Sequence, residues 1–292
     1  MGQLRTLVVT AANDAFVPLL RGLVESLQQW TPRPYADLAC LDLGLSPENR
    51  DWVALHAAHI VQPEWDLPVD ARVRAAHPEW RALTARPFLP RYFPGYDIYL
   101  WIDADAWIQE RFAIDWHVTL AGTGQLAVTP EVDRTYRITP DVIHWRASRM
   151  RACFGPQAEQ QLLWQTYFNA GVFALRADAP HWASWARWFR AGLDATAGTT
   201  CCDQTALNHA IRTEGLAVAP LPALCNWLCH LAVPGFDPRR GRFCEPVLPG
   251  RSIGILHLAG PSKDFVLALR GEGPERRITL RFPGPAYASS TQ

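Results

Sequence analysis

Short apolar runs and helically spaced apolar positions alternate along the first hundred residues. L-R-T-L-V-V-T at 4–10 is a run that predicts a buried strand, and Ala11 to Phe16 break it. V-P-L-L-R-G-L-V-E-S-L-Q-Q at 17–29 has helical periodicity. A-D-L-A-C-L-D at 36–42 predicts a second strand. Ser46-Pro47-Glu48 supplies an N-cap with proline at the first helical position, so a helix is expected from there to about His56. His59 to Gln62 predicts a short strand, and the proline- and charge-rich residues 63–78 predict a loop. Glu79 to Phe93 predicts a helix interrupted at Pro87 and Pro90, and Asp97 to Ile102 the next strand.

The second half predicts strands at Gln125–Thr129, Gly171–Leu175 and 253–257. Helices are expected at Pro140–Phe154, 179–194 and 203–213. His181-Trp182, Trp185 and Trp188 sit at helical spacing and read as one packed face. Alternating strands and helices predict an α/β fold: a Rossmann-like, mostly parallel central sheet with helices on both faces. With no repeat or linker, 1–270 reads as a single domain, and the Gly- and Pro-rich 271–292 as a C-terminal tail with one strand-like run at Arg277–Phe282.

Composition narrows the function classes. The 292 residues are 49% apolar, enough for a sizeable core. The 28 basic residues balance 28 acidic ones, so nothing suggests an electrostatic grip on nucleic acid. No apolar stretch is long enough to span a membrane, and the opening apolar run is too short for a signal peptide. The formal myristoylation pattern at Gly2 conflicts with the strand that follows at once. Seven cysteines form no even framework and point to free thiols in a reducing compartment, hence a cytoplasmic location. Cys225 and Cys229 beside His230, or the adjacent Cys201 and Cys202, are better read as buried small hydrophobes than as a zinc site.

The stretch L-W-I-D-A-D-A-W-I-Q at 100–109 sets Asp103 and Asp105 against a buried strand. A buried carboxylate is costly unless compensated. In parallel sheets, however, ligands bind beyond the carboxyl ends of strands, where these acids sit. In extended backbone residues two apart share a side, so both carboxylates can converge on one cation. Hard oxygen ligands suit Mg²⁺ or Mn²⁺, which would in turn hold a phosphate-bearing ligand. A solvated acidic turn is the alternative. His257 in I-L-H-L-A-G-P-S-K-D-F also follows a strand end and can complete such a site, with Gly260 and Lys263 placed for a phosphate. Asn169 in F-N-A-G-V-F-A-L reads alone as a turn residue. In C-D-Q-T-A-L-N, Asp203 reads as a helix N-cap with Gln204 at the first helical position, which leaves Gln204 without a role.

In order and approximate spacing, six stretches resemble the retaining glycosyltransferases of the GT-A fold, family 8, which includes bacterial lipopolysaccharide galactosyl- and glucosyltransferases and glycogenin. They are V-V-T-A-A-N-D, L-D-L-G-L-S-P-E-N-R, Y-D-I-Y-L-W-I-D-A-D, F-N-A-G-V-F, D-Q-T-A-L-N and H-L-A-G-P-S-K, spanning about residues 7–265. The resemblance implies a UDP-sugar donor, Mn²⁺ (or Mg²⁺), and transfer of glucose or galactose with retention. The acceptor would be a carbohydrate, lipid-linked or protein molecule. It implies Asp103, Asp105 and His257 as metal ligands. It implies Thr10, Ala11 and Asn13 as uracil and ribose contacts, Gly260 and Lys263 as diphosphate contacts, and Ala104 and Arg86 as further donor contacts. Asn169, Asp203 and Gln204 would form the sugar pocket, with Asp203 on donor hydroxyls and Gln204 near the anomeric carbon. Where the family often has K-P-W, this chain has Lys263-Asp264-Phe265, and an acid there would weaken the lysine's field. Val132 to Met150, with Arg134, Tyr136, Arg137 and Trp145, fits no transferable pattern. The family uses that region to shape the acceptor site.

Two other readings compete. Haloacid dehalogenase-like phosphatases also place D-x-D after an apolar strand, but after the first strand and before Gly or Thr. Here it follows the fourth and continues Ala106-Trp107. A catalytically silent nucleotide-sugar binding protein is the other alternative.

Overall fold

The computed structural model describes residues 4–30, 36–200, 202–269 and 276–282. The expectations for Gly2 and Cys201, and for the tail apart from 276–282, lie outside the described residues. The strands are β1 (Thr6–Ala12), β2 (Asp37–Asp42), β3 (His59–Val61), β4 (Ile98–Ile102), β5 (Ala106–Ile108), β6 (Leu126–Pro130) and β7 (Phe168–Arg176). They continue with β8 (Val218–Pro220), β9 (Trp227–Leu228), β10 (Gly235–Asp237), β11 (Arg242–Cys244), β12 (Ile255–His257), β13 (Val266–Leu269) and β14 (Arg276–Thr279). The helices are α1 (Val17–Trp30), α2 (Pro47–Ala54), α3 (Ala71–Ala76), α4 (Arg81–Ala85), α5 (Leu89–Tyr92), α6 (Phe112–Ala121), α7 (Pro140–Leu163), α8 (His181–Ala195) and α9 (Asp203–Glu214).

Seven strands form the main sheet in the order β3-β2-β1-β4-β7-β6-β8. All neighbours are parallel except around β7, which runs antiparallel to β4 and β6. The fold is therefore the α/β, mostly parallel one expected. Strand alternation sorts the core into two layers. Leu7, Val9, Tyr99 and Trp101 pack against Trp182, Trp185 and Phe189 of α8 and Leu207 of α9. Val8, Ile98 and Leu100 face Leu20, Leu23 and Leu27 of α1 and Ile114 of α6.

A second, three-stranded sheet, β5-β12-β9, lies beyond the carboxyl end of β4. His257 pairs with Ala106 on one side and with Leu228 on the other. This register sets the imidazole beside Asp105. The Leu258 N–H donates to the Asp105 carbonyl at 2.8 Å, and the Asp103 N–H donates to the Gly171 carbonyl at 2.8 Å. Three sequence-distant segments thus meet through fixed backbone bonds.

Some local expectations needed correction. Residues 63–78 contain helix α3, because Asp70 caps it: its carboxylate accepts from the Arg72 N–H at 2.8 Å and the Val73 N–H at 3.4 Å. Asp203 is not the N-cap of α9. Cys202 holds that position without a side-chain cap bond, and Asp203 is the first helical residue, its carboxylate turned to Arg86. α7 is broken at Gly155, whose φ of 83° leaves the helical region, so its first half ends at the Phe154 expected.

His117 on α6 is fully buried, with Nδ1 donating to the Ala113 carbonyl at 2.7 Å and no partner at Nε2 among the described residues. Burial lowers its pKa from 6.5 to about 4. A lowered histidine pKa means the unfolded chain binds the proton more readily. Its contribution is present above about pH 6.5 and is lost as pH falls towards 4, about 3 kcal/mol in all. His117→Leu should flatten urea-unfolding free energies over that interval relative to wild type; an unchanged slope would contradict this.

Candidate functional site

The acids that the sequence sets after β4 sit in the turn between β4 and β5, with β12 alongside. One donor atom from each of Asp103, Asp105 and His257 lies within 4.8 Å of the others. His257 Nε2 is 3.3 Å from Asp105 Oδ1 and 3.7 Å from Asp103 Oδ2. Two carboxylate oxygens and one imidazole nitrogen could hold a divalent metal. Gly171 on β7 makes the space: a Cβ there would stand 2.3 Å from His257 Cε1 and 2.7 Å from Asp103 Oδ2.

Two cations already compensate the acids. Lys263 Nζ is 2.5 Å from Asp105 Oδ2 and also donates to the Leu258 carbonyl at 3.0 Å. Arg86 donates to Asp103 Oδ1 with one arm and, at 2.6 Å, to Asp203 Oδ2 with the other. Its guanidinium lies 4.6 Å over the Trp101 ring, whose Nε1 donates to Asp103 Oδ1 at 2.7 Å. Burial pushes the Asp103 carboxyl up despite Arg86 and His257. Burial also opposes ionised Asp105, but the bond and charge of His257 and the charge of Lys263 prevail and hold it well below the usual carboxylate range. Burial disfavours a charged His257, yet the bond and charges of Asp105 and Asp103 outweigh it and raise its pKa. The two carboxylates thus split apart in acidity, as neighbouring acids do.

The second cluster lies where β7 and α9 meet. The Ala170 N–H donates to Gln204 Oε1 at 2.9 Å, and Gln204 Nε2 donates to Glu131 Oε1 at 2.9 Å. Asn169 Nδ2 donates to the same Glu131 oxygen at 2.9 Å. Asn169 Oδ1 accepts from the Gly171 N–H and from Asn226 Nδ2, both at 2.9 Å. Asn169 lies within β7, so it is a bonded strand residue and not a turn former. Glu131 is buried and paired with Arg146.

Asp103, Ala104, Asp105, Arg86, Ala11 and Asn13 line one cleft of about 230 Å³, with Phe16 and Trp101 as aromatic walls. Thr10 does not line it; its side chain is fully buried. Asn13 is committed in part to the chain, accepting from the Phe16 N–H at 3.2 Å. Gly260, at φ +59°, opens the short turn that carries Lys263. The acid beside that lysine is neutralised: Arg281 donates to Asp264 at 2.8 Å.

Sequence reasoning missed Glu131, Asn226, Trp101 and Arg146. Glu131 carried a readable signal, an acid directly after a strand end, like Asp103. Asn226 lies in C-N-W-L-C-H, a stretch whose cysteines are its conspicuous residues and in which nothing singles out the asparagine. Cys225 and Cys229 are buried, and burial lifts Cys225 to about 12, as suits an inert thiol. Among the described residues no metal group includes them. Trp182 and Trp185 are buried and Trp188 partly so, as expected of one packed face. Among the described residues no helix is long and apolar enough to cross a membrane.

No family model matches the chain, and no curated protein matches it. Solved structures do. LgtC, a galactosyltransferase in complex with donor and acceptor sugar analogues, matches at 21% identity over 88% of both chains, with a TM-score of 0.56. An active-site glutamine-to-glutamate mutant of LgtC matches at 18% identity over 87% of this chain and 88% of that one, with a TM-score of 0.55. The bifunctional glycosyltransferase WbbM, in its apo form, matches at 15% identity over 89% of this chain but 46% of its own, with a TM-score of 0.52. At these identities the likeness shows the fold, that of GT-A glycosyltransferases.

Proposed function

We propose that the protein is a metal-dependent retaining glycosyltransferase of the family 8 type, moving glucose or galactose from a UDP-sugar to a carbohydrate-bearing, lipid-linked or protein acceptor. One observation carries the reading: Asp103, Asp105 and His257 converge beside two cations, Lys263 and Arg86, at one end of a cleft. Arg86 ties Asp103 to Asp203, the neighbour of Gln204 in the second polar cluster. LgtC, which this chain resembles in fold, has an active-site glutamine, and that supports a role in the site for Gln204 here. The reading includes 1–270 as one catalytic domain and a cytoplasmic location.

The donor set fits a small divalent cation, and Mn²⁺ suits its two hard oxygens and one imidazole. Bound there, the cation supplies charge stabilisation for a departing diphosphate. The chain does the rest. Lys263 neutralises phosphate charge, and the turn at Gly260 lets phosphate approach the backbone. Ala11 and Asn13 receive the nucleoside, and Phe16 offers an aromatic face. Asp203 accepts from sugar hydroxyls, and Arg86 holds that carboxylate in place. Gln204, a poor nucleophile, sets a polar oxygen near the anomeric carbon. The acceptor then attacks on the face the diphosphate leaves, and the leaving phosphate takes its proton.

A thermal-shift screen of nucleotide sugars with and without Mn²⁺ tests this. The expected result is a Mn²⁺-dependent rise in Tm for one UDP-sugar. No response to any sugar would remove the transferase reading. A response without UDP release to any acceptor or to water would favour the silent binding protein.

A further inference from the structure

Asn226 stands between the two halves of the site and touches both. It is fully buried, in the turn just before β9. Its Nδ2 meets Asn169 Oδ1 at 2.9 Å and its Oδ1 meets His257 Nδ1 at 3.0 Å. Side-chain amides are ambiguous by shape, so their direction has to be argued from a donor that cannot turn round. The Gly171 N–H is such a donor. It points at Asn169 from 2.9 Å, so the Asn169 atom there is the oxygen. Its amide nitrogen then faces the Glu131 carboxylate, which can only accept.

The direction propagates. The Asn169 oxygen takes a second hydrogen bond from the neighbouring Asn226 atom, which must be nitrogen. The other end of Asn226 is then oxygen, and an oxygen facing His257 Nδ1 requires a proton on Nδ1. The other ring nitrogen, Nε2, is the one aimed at Asp105 and Asp103. Asn226 itself is held by its backbone. Its N–H donates to the Ala223 carbonyl at 3.0 Å, and its carbonyl accepts from the Tyr136 hydroxyl at 3.4 Å. Tyr136 in turn accepts from the Leu228 N–H at 2.9 Å. This gives a place to one residue of the 132–150 segment that the sequence left unassigned.

We infer that Asn226 is a positioning residue. It takes its amide direction from the Gly171 N–H through Asn169, and it fixes His257 with Nδ1 protonated and Nε2 presented to a cation. The inference rests on the metal-site reading above and adds a residue outside the triad. Partners of this kind typically account for 10–100-fold in metal affinity. The same amide joins the triad to the cluster in which Glu131 holds Gln204.

The test is Mn²⁺ titration of the full chain by electron paramagnetic resonance, with folding checked by circular dichroism. Asn226→Leu removes both bonds and should weaken Mn²⁺ binding about 10–100-fold. Asn226→Asp keeps an acceptor for Nδ1–H but gives up the donor to Asn169, so it should bind Mn²⁺ less tightly than wild type and clearly more tightly than Asn226→Leu. A merely structural role would weaken both variants alike. Asn226→Leu at wild-type affinity, or Asn226→Asp as weak as Asn226→Leu, would overturn the inference. If Asn226→Leu does not fold, Asn169→Ala decides, since it removes the partner that orients Asn226 without a hydrogen bond to the triad. Weaker Mn²⁺ binding supports the relay, and unchanged binding refutes it. Failure of wild type itself to bind Mn²⁺ or Mg²⁺ would instead strike the metal-site reading.

Discussion

Gly171→Ala is expected to abolish divalent-cation binding while leaving the main sheet folded. The added Cβ would lie 2.3 Å from His257 Cε1, 2.7 Å from Asp103 Oδ2 and 3.0 Å from Asn169 Oδ1. Something must move, and the neighbours have little room. His257 is fixed by strand pairing on both sides and by Asn226. Asp103 is fixed through its N–H on the Gly171 carbonyl and through Trp101 and Arg86. Gly171 is not at positive φ, so alanine brings no backbone strain of its own. The cost of overpacking, typically about 1–3 kcal/mol, therefore falls on the side chains that would hold the cation. Mn²⁺ affinity should drop more than about 100-fold, beyond what losing a partner of a ligand costs, because His257 or Asp103, which would touch the cation, is itself displaced. Circular dichroism should stay native-like. Mn²⁺ affinity within tenfold of wild type would show that the triad is not where the cation sits.

The residues around Gly171 show what the sequence could and could not disclose. Apolar runs and periodicity placed six of the seven main-sheet strands and the helices α1, α8 and α9, because burial on one or both faces is written into neighbouring positions; β8, α6 and the short strands β5, β9, β10, β11 and β13 carried too little pattern to be foreseen. The triad was legible for a related reason: Asp103 and Asp105 follow the end of β4, and His257 is the last residue of β12, so each stands at or just past the carboxyl end of an apolar run. Asp203 was misread because capping is a local bargain. The helix N-terminus offers it a backbone N–H, but Arg86, 117 positions away, offers a charge-assisted bond in a buried setting, and that is stronger. Glu131 and Asn226 were missed for the same reason in reverse. Their partners, Gln204, Asn169 and His257, are distant in sequence, and only Glu131, directly after the end of β6, carried a local signal. Thr10 shows what a matching stretch leaves open, the direction of a single side chain. It stands in a matching stretch, yet the strand buries its side chain.

Arg86→Leu is expected to destabilise the cation-free protein by about 3–5 kcal/mol, with Mn²⁺ returning much of that. Arg86 is buried between Asp103 and Asp203, and burial works against its charge until those two carboxylates prevail and raise its pKa. Removing it leaves two mostly buried carboxylates without their shared partner, the arrangement that makes broken buried ion pairs costly. Leucine keeps much of the volume, so the loss is mainly electrostatic. Arg86→Lys should fall between, because one ammonium cannot reproduce a fork that meets two carboxylates and stacks on Trp101. The cation separates this account from simple loss of packing. A divalent ion on Asp103 replaces the lost positive charge there, so the deficit should shrink on adding Mn²⁺, while Asp203 stays uncompensated and keeps the rescue partial. The comparison is urea unfolding of wild type, Arg86→Leu and Arg86→Lys in chelator and in Mn²⁺. Equal deficits in both media would mean that Arg86 only packs. A Leu variant as stable as wild type would mean the two acids need no cation between them.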